Sequence, residues 1–147
     1  MEIRLLRHAT LLVSINGKKI IVDPMLGAKG CMPPIVNSPN SQRNPLVELD
    51  MPLNWQQDIH GVLLTHTHRD HFDDAAVEQL PPNITIFCQP EDEGKLRELG
   101  FLQVHPIEDE FLWEGITIQR TAGQHGTGEI AKQMAPVSGY VLQAAGE

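Results

Sequence analysis

Hydrophobic and polar positions along this chain change their period several times, and each change predicts an element. Glu2–Arg7 alternates loosely, while Thr10–Ile15 and Lys18–Val22 are apolar, β-branched runs separated only by Asn16-Gly17. Asn-Gly between two such runs predicts a hairpin, because both turn residues tolerate the positive φ of a two-residue connection. The second arm stops at Asp23-Pro24, since proline has no N–H to give a ladder. From Met25 to about Gln57 the pattern dissolves among Pro33, Pro34, Pro39, Pro45 and Pro52. A connection of that length either wanders over the surface or covers a site.

Gly61–Leu64 is short and wholly apolar, as in a strand buried on both faces. Further on, Asp73 or Asp74 is placed to cap a helix through Ala75, Ala76, Val77 and Leu80, which Pro81-Pro82 must end. Ile84–Cys88 reads as the next strand. Pro90 at a first helical position, followed by Glu91, Asp92 and Glu93, opens a second helix that runs to Leu99 and is capped by Gly100. Phe101–His105, Phe111–Trp113, Ile116–Arg120 and Val137–Gln143 read as strands, with a turn at Glu114-Gly115 and a glycine-rich loop over Thr121–Gly128. This order predicts an α+β fold in one domain, residues 1–147, with helices packed outside a sheet system.

Composition adds exclusions. The 147 residues are 41% hydrophobic and 20% charged, an ordinary globular balance, and with only 5% aromatics the core must rest on Leu, Ile and Val. The formal charge of −8, with no Lys/Arg cluster, argues against a nucleic-acid partner, which calls for a basic surface. No apolar stretch is long enough for a bilayer span. The opening MEIRLLRHATLLVSING is interrupted by Arg4, Arg7 and His8, unlike a signal peptide, so a cytoplasmic location is expected. Cys31 and Cys88 are too few for a disulfide framework and are expected as buried thiols.

The chemistry concentrates in one place. His66, His68 and His71 fall within six residues, with Asp70 among them, directly after the apolar strand. Crowding so many polar groups together costs several kcal/mol unless something coordinates them. Imidazole with carboxylate suits zinc, and also iron or manganese. In a tight loop, residues at i and i+2 converge on one ion, and Asp70 and His71 then face a second position beside it. His8, His60 and His105 stand in or beside strand-like segments and read as structural. Arg69 reads as a solvent-side position, and nothing in their spacing assigns Glu129 or Lys132 a role.

Thr65-His66-Thr67-His68-Arg69-Asp70-His71 resembles the H-x-H-x-D-H signature of the metallo-β-lactamase superfamily. The N-terminal hairpin ending at Asp23-Pro24, the apolar strand before the motif and the helix after it agree with that resemblance. It implies an αββα sandwich in which His66, His68 and His125 hold a first metal and Asp70 and His71 contribute to a second. The implied cofactor is zinc, two ions in the complete protein, with manganese or iron also compatible. Asp70 would double as a catalytic group that orients the nucleophile. Asp23 is similar to the family's supporting aspartate, although before Pro24 it reads equally as a turn residue.

The family pattern continues beyond Val137–Gln143 with a bridging aspartate and a last histidine, for which Ala144–Glu147 offers no candidate. The resemblance therefore implies a sandwich incomplete at the C-terminus. An apolar sheet face would be left for a missing C-terminal segment or a second chain to cover. The implied activity is metal-dependent hydrolysis, by a metal-activated water, of a small-molecule ester, lactone or phosphodiester. The alternatives are a non-catalytic metal-binding fragment and a di-iron redox protein of the same superfamily.

Overall fold

The computed structural model describes residues 1–35, 39–49, 54, 57–124, 126–128 and 134–146. Strands β1 (Glu2–Arg7), β2 (Thr10–Ile15), β3 (Lys18–Val22), β4 (Gly61–Leu63), β5 (Thr85–Cys88) and β6 (Gln103–Pro106) form one sheet in that spatial order. Strands β7 (Glu110–Trp113), β8 (Ile116–Ala122) and β9 (Ser138–Ala144) form a second, antiparallel sheet. The predicted hairpin is present: Ile15 pairs with Lys18 around Asn16 at φ 46° and Gly17 at φ 71°. From β3 to β6 the strands are parallel. Parallel neighbours need crossovers, and helices α1 (Asp74–Gln79) and α2 (Glu93–Glu98) lie on two of them.

Two apolar cores follow from the alternation of side chains along the strands. Ile21, Val62, Leu64, Ile86, Cys88 and Val104 face Phe72, Ala76, Leu80 and Leu96 on the helical side. On the other face Val13, Ile15, Ile20, Leu63 and Phe87 meet Ile107, Ile116 and Ile118, with Phe111 and Trp113 at the margin. The layers are therefore helices, six-stranded sheet, three-stranded sheet. β4 supplies both cores with successive residues, Val62 to one and Leu63 to the other, which is why it carries no polar position.

Several expectations need adjustment. The second helix is shorter than its pattern suggests: a 3-10 turn, Pro90–Asp92, precedes α2, which stops at Glu98. Cys88 is buried, but Cys31 is exposed, because it belongs to the excursion after β3 rather than to a strand. Uncovered apolar surface lies on the large sheet rather than on the small one. The outward residues of the small sheet are mixed, with Glu110, Gln119 and Gln143 beside Leu112 and Val141. It is β1 that is bare: Ile3 and Leu5 are 59% and 65% exposed, since six strands face only three.

Arg7, 2% exposed, is the one buried arginine among the described residues. Its guanidinium donates to the carbonyls of Met25 and Gly27, the latter at 2.6 Å, and so fixes the start of the excursion. Burial lowers its pKa, an effect that the charge of Asp73 partly offsets. Asp73 holds the same segment from the other side. Its carboxylate caps α1 through the Ala76 N–H and also accepts from the N–H groups of Leu26 and Gly27. Among the described residues no helix is long and apolar enough to cross a membrane.

Candidate metal centre

Because β3, β4 and β5 run parallel, the residues that follow each strand share one edge of the sheet. Asp23 follows β3, Thr65–His71 follows β4, and Gln89 follows β5. Ligand sites in open sheets of this kind lie outside the carboxyl ends of the strands. The motif loop turns tightly there: the carbonyl of His68 accepts from the N–H groups of both His71 and Phe72. That turn brings three imidazoles together, with the ring of His66 4.6 Å from that of His68 and 4.1 Å from that of His71. Asp70 Oδ2 lies 3.7 Å from His71 Nε2. The four clustered residues of the motif are thus adjacent in space. His125 lies outside the described residues, as do Glu129 and Lys132.

Asp23 organises this cluster. It is 3% exposed and sits at φ 45°, in the left-handed region that Asp and Asn tolerate better than most residues. Its Oδ1 accepts from Thr65 N–H at 2.8 Å, and its Oδ2 accepts from Thr65 Oγ1 at 2.7 Å and from His71 Nδ1 at 2.8 Å. An ionised carboxylate only accepts, so a neutral His71 carries its proton on Nδ1 and its lone pair on Nε2. The single hydroxyl proton of Thr65 is likewise committed to Asp23. Thr65 Oγ1, 3.0 Å from His66 Nδ1, must then accept from it, which leaves the lone pair of His66 on Nε2 as well. One carboxylate therefore sets two tautomers, the role of supporting carboxylates around metal-bound histidines.

The motif loop is also held from below. Thr67 Oγ1 donates to Asp92 at 2.7 Å, and Lys95 Nζ donates to the Thr67 carbonyl at 3.0 Å. Asp92 also accepts from Gln89, which accepts in turn from Ser138 at the start of β9. The loop is thereby tied to both sheets. Arg69 points to solvent and pairs with Asp74.

Charge follows geometry. Burial opposes ionisation of both His71 and Asp70, but their neighbours prevail. The hydrogen bond and charge of Asp23, with Asp70, hold His71 above the ordinary imidazole range. His71 and the hydrogen bond from His8 hold Asp70 below the ordinary carboxylate range. Imidazole nitrogens with oriented lone pairs beside a permanent carboxylate are a donor set suited to a divalent cation.

Sequence reading misses four contributors. His8, expected to be structural, stands with its Nε2 3.3 Å from Asp70 Oδ2. Asp92 reads in the sequence only as an acidic residue opening a helix, and Thr65 and Thr67 carry no role there, although the threonines alternating with histidines in Thr65–His68 are a pattern in themselves. His60 and His105 are structural as expected. His60 Nδ1 accepts from the Lys19 N–H, and His105 packs against Phe87 and Phe111.

Comparison with known proteins identifies relatives of this chain. The family model described as a beta-lactamase superfamily domain matches residues 18–147. The UPF0173 protein YddR of Bacillus subtilis (strain 168) is 37% identical over 150 residues, covering 97% of this chain and 58% of YddR. The isothiocyanate hydrolase from Delia radicum gut bacteria superposes with a TM-score of 0.87 at 34% identity, over 98% of this chain and 59% of that one. A possible metal-dependent hydrolase from Veillonella parvula DSM 2008 superposes with a TM-score of 0.85 at 32% identity, over 95% of this chain and 57% of that one. The chain thus spans little more than half the length of these relatives.

Proposed function

The chain belongs to the beta-lactamase superfamily, and from that premise we propose that its strand-end cluster is the metal centre of a hydrolase acting on a small molecule. The observation that carries this reading is the pair of relays from Asp23, which turn the Nε2 lone pairs of His66 and His71 toward one cluster with His68 and Asp70.

In this reading His66 and His68, joined by His125, would hold a first zinc ion, and Asp70 and His71 would contribute to a second. A bound divalent ion supplies Lewis acidity and brings the pKa of a water toward neutrality. The chain's own residues do the rest. Asp23 and Thr65 orient the ligating imidazoles. Asp70, held ionised by His71 and His8, would offset cationic charge and help orient the nucleophile. The motif loop, anchored through Thr67 and Asp92, keeps these groups in register.

The substrate class we propose is an ester, lactone or phosphodiester, each with an electrophilic centre whose oxygen gains charge during attack. The relative named as an isothiocyanate hydrolase adds another electrophile, the central carbon of an isothiocyanate, to the panel worth assaying. His68→Ala is the test. It should lower bound zinc, measured by inductively coupled plasma mass spectrometry, and abolish zinc-dependent turnover across that panel. Unchanged metal content and rate in His68→Ala would refute the assignment.

A further inference from the structure

The first turn of the chain reaches the centre from the opposite side. β1 and β2 are joined by His8-Ala9, and their register shifts between Leu5 and Arg7. His8 sits at φ 49°, a left-handed conformation uncommon for residues other than glycine. Bulges of this kind re-aim side chains beside functional sites. Here the consequence is that His8 Nε2 lies 3.3 Å from Asp70 Oδ2, and the His8 ring stands edge-on to His71 with centroids 5.9 Å apart.

The donor atoms around Asp70 stand near the spacing of a coordination shell. Donors held about 2.0–2.2 Å from a tetrahedral ion are separated from one another by about 3.3–3.6 Å. His8 Nε2 and His71 Nε2 lie 3.3 Å and 3.7 Å from the shared Asp70 Oδ2, and one donor atom from each residue lies within 4.8 Å of the others. Two imidazoles and a carboxylate form a donor set common to catalytic zinc and iron sites. The His71 nitrogen on this side is the one that the Asp23 hydrogen bond leaves deprotonated.

We propose that His8 is a ligand of the second metal position, so that His8, Asp70 and His71 form a three-residue site drawn from two distant segments of the chain. The proposal rests on the metal-centre reading above. It assigns to the N-terminal turn a coordinating role rather than support of Asp70 by a hydrogen bond.

Two variants separate these roles. His8→Gln keeps a donor N–H within reach of Asp70 but removes the imidazole, and His8→Asn preserves a residue that tolerates positive φ. Both are compared with the unsubstituted chain by zinc competition titration, by metal content after dialysis, and by the visible spectrum of the cobalt(II) form. An unchanged metal-free melting temperature verifies the fold. The second zinc equivalent should weaken at least 100-fold in both variants, exceeding the roughly 10–100-fold cost of losing an outer hydrogen-bond partner, while the first equivalent persists. A smaller loss in His8→Gln overturns the proposal and leaves the metal centre standing. So does a chain that takes up one ion, lost in His66→Ala but kept in both His8 variants. Absence of any tightly bound zinc in the unsubstituted chain overturns the metal-centre reading, and this proposal with it.

Discussion

Asp23→Asn is the substitution that tests the architecture of the centre most directly. Asparagine is nearly isosteric and accepts the left-handed backbone at φ 45°, so the change isolates the carboxylate. With an NH2 in place of Oδ2, Thr65 Oγ1 and His71 Nδ1 both meet a donor instead of an acceptor. To remain hydrogen-bonded, Thr65 must accept from the new amide and donate to His66, and His71 must present an unprotonated Nδ1. Both rings then carry their proton on Nε2, the nitrogen needed for the metal. Losing a charge-assisted hydrogen bond in this buried position costs about 1.5–3 kcal/mol. At about 2–4 °C per kcal/mol for a chain of this size, the metal-free melting temperature should fall by roughly 3–12 °C. Zinc affinity should fall by about 10–100-fold or more, since each of two ligands loses its supporting partner. Calorimetric melting of the metal-free protein measures the first quantity and chelator competition the second. A variant that melts lower yet binds zinc within threefold of the unsubstituted protein would show that Asp23 supports the loop without setting the tautomers.

The remaining predictions address charge, packing and thiol chemistry. In the metal-free protein His71 has a raised pKa, so its contribution to stability is complete below about pH 6.5 and lost as pH rises through its folded value. The melting temperature should therefore decline as pH rises above about 6.5, and Asp23→Asn should flatten that decline; an equally steep decline in the variant argues against the pairing. Asp70, with a lowered pKa, contributes in the opposite direction, its stabilisation being lost only as pH falls through its folded value. Arg7→Met leaves the Met25 and Gly27 carbonyls without their donor and should destabilise the fold by about 3 kcal/mol, read from urea unfolding. A loss below about 1 kcal/mol would mean that water replaces the guanidinium. Burial, with Asp92 and Glu93 nearby, pushes the Cys88 thiol up to about 12, whereas Cys31 is exposed. A chromogenic disulfide reagent should therefore label one thiol in the native protein and two in denaturant, and rapid labelling of both in the native state contradicts the packing.

What this chain discloses before folding is what its neighbouring residues decide among themselves. Asn16-Gly17 dictates a hairpin because the two-residue turn demands positive φ. The unbroken apolar run Gly61–Leu64 dictates a strand covered on both faces, and Pro81-Pro82 and Gly100 end what precedes them. His66, His68, Asp70 and His71 mark the proposed metal site because six consecutive positions suffice to form most of the cluster. Other features depend on segments that only the sheet brings together. His8 and Asp70 are 62 residues apart, and His71 and Asp23 are 48 apart. Their meeting is set by the β1–β2 bulge and by the parallel register of β3 and β4, neither of which leaves a local period to read. The same holds for Arg7, which looks like an interruption of an apolar run until the chain returns with the carbonyls of Met25 and Gly27. It holds also for the bare face of β1, which no strand pattern announces because it depends on how many strands face it. Local periodicity fixes elements, and a short motif discloses the proposed ligands that are close in sequence; the supporting carboxylate and the histidine opposite are decided by tertiary pairing.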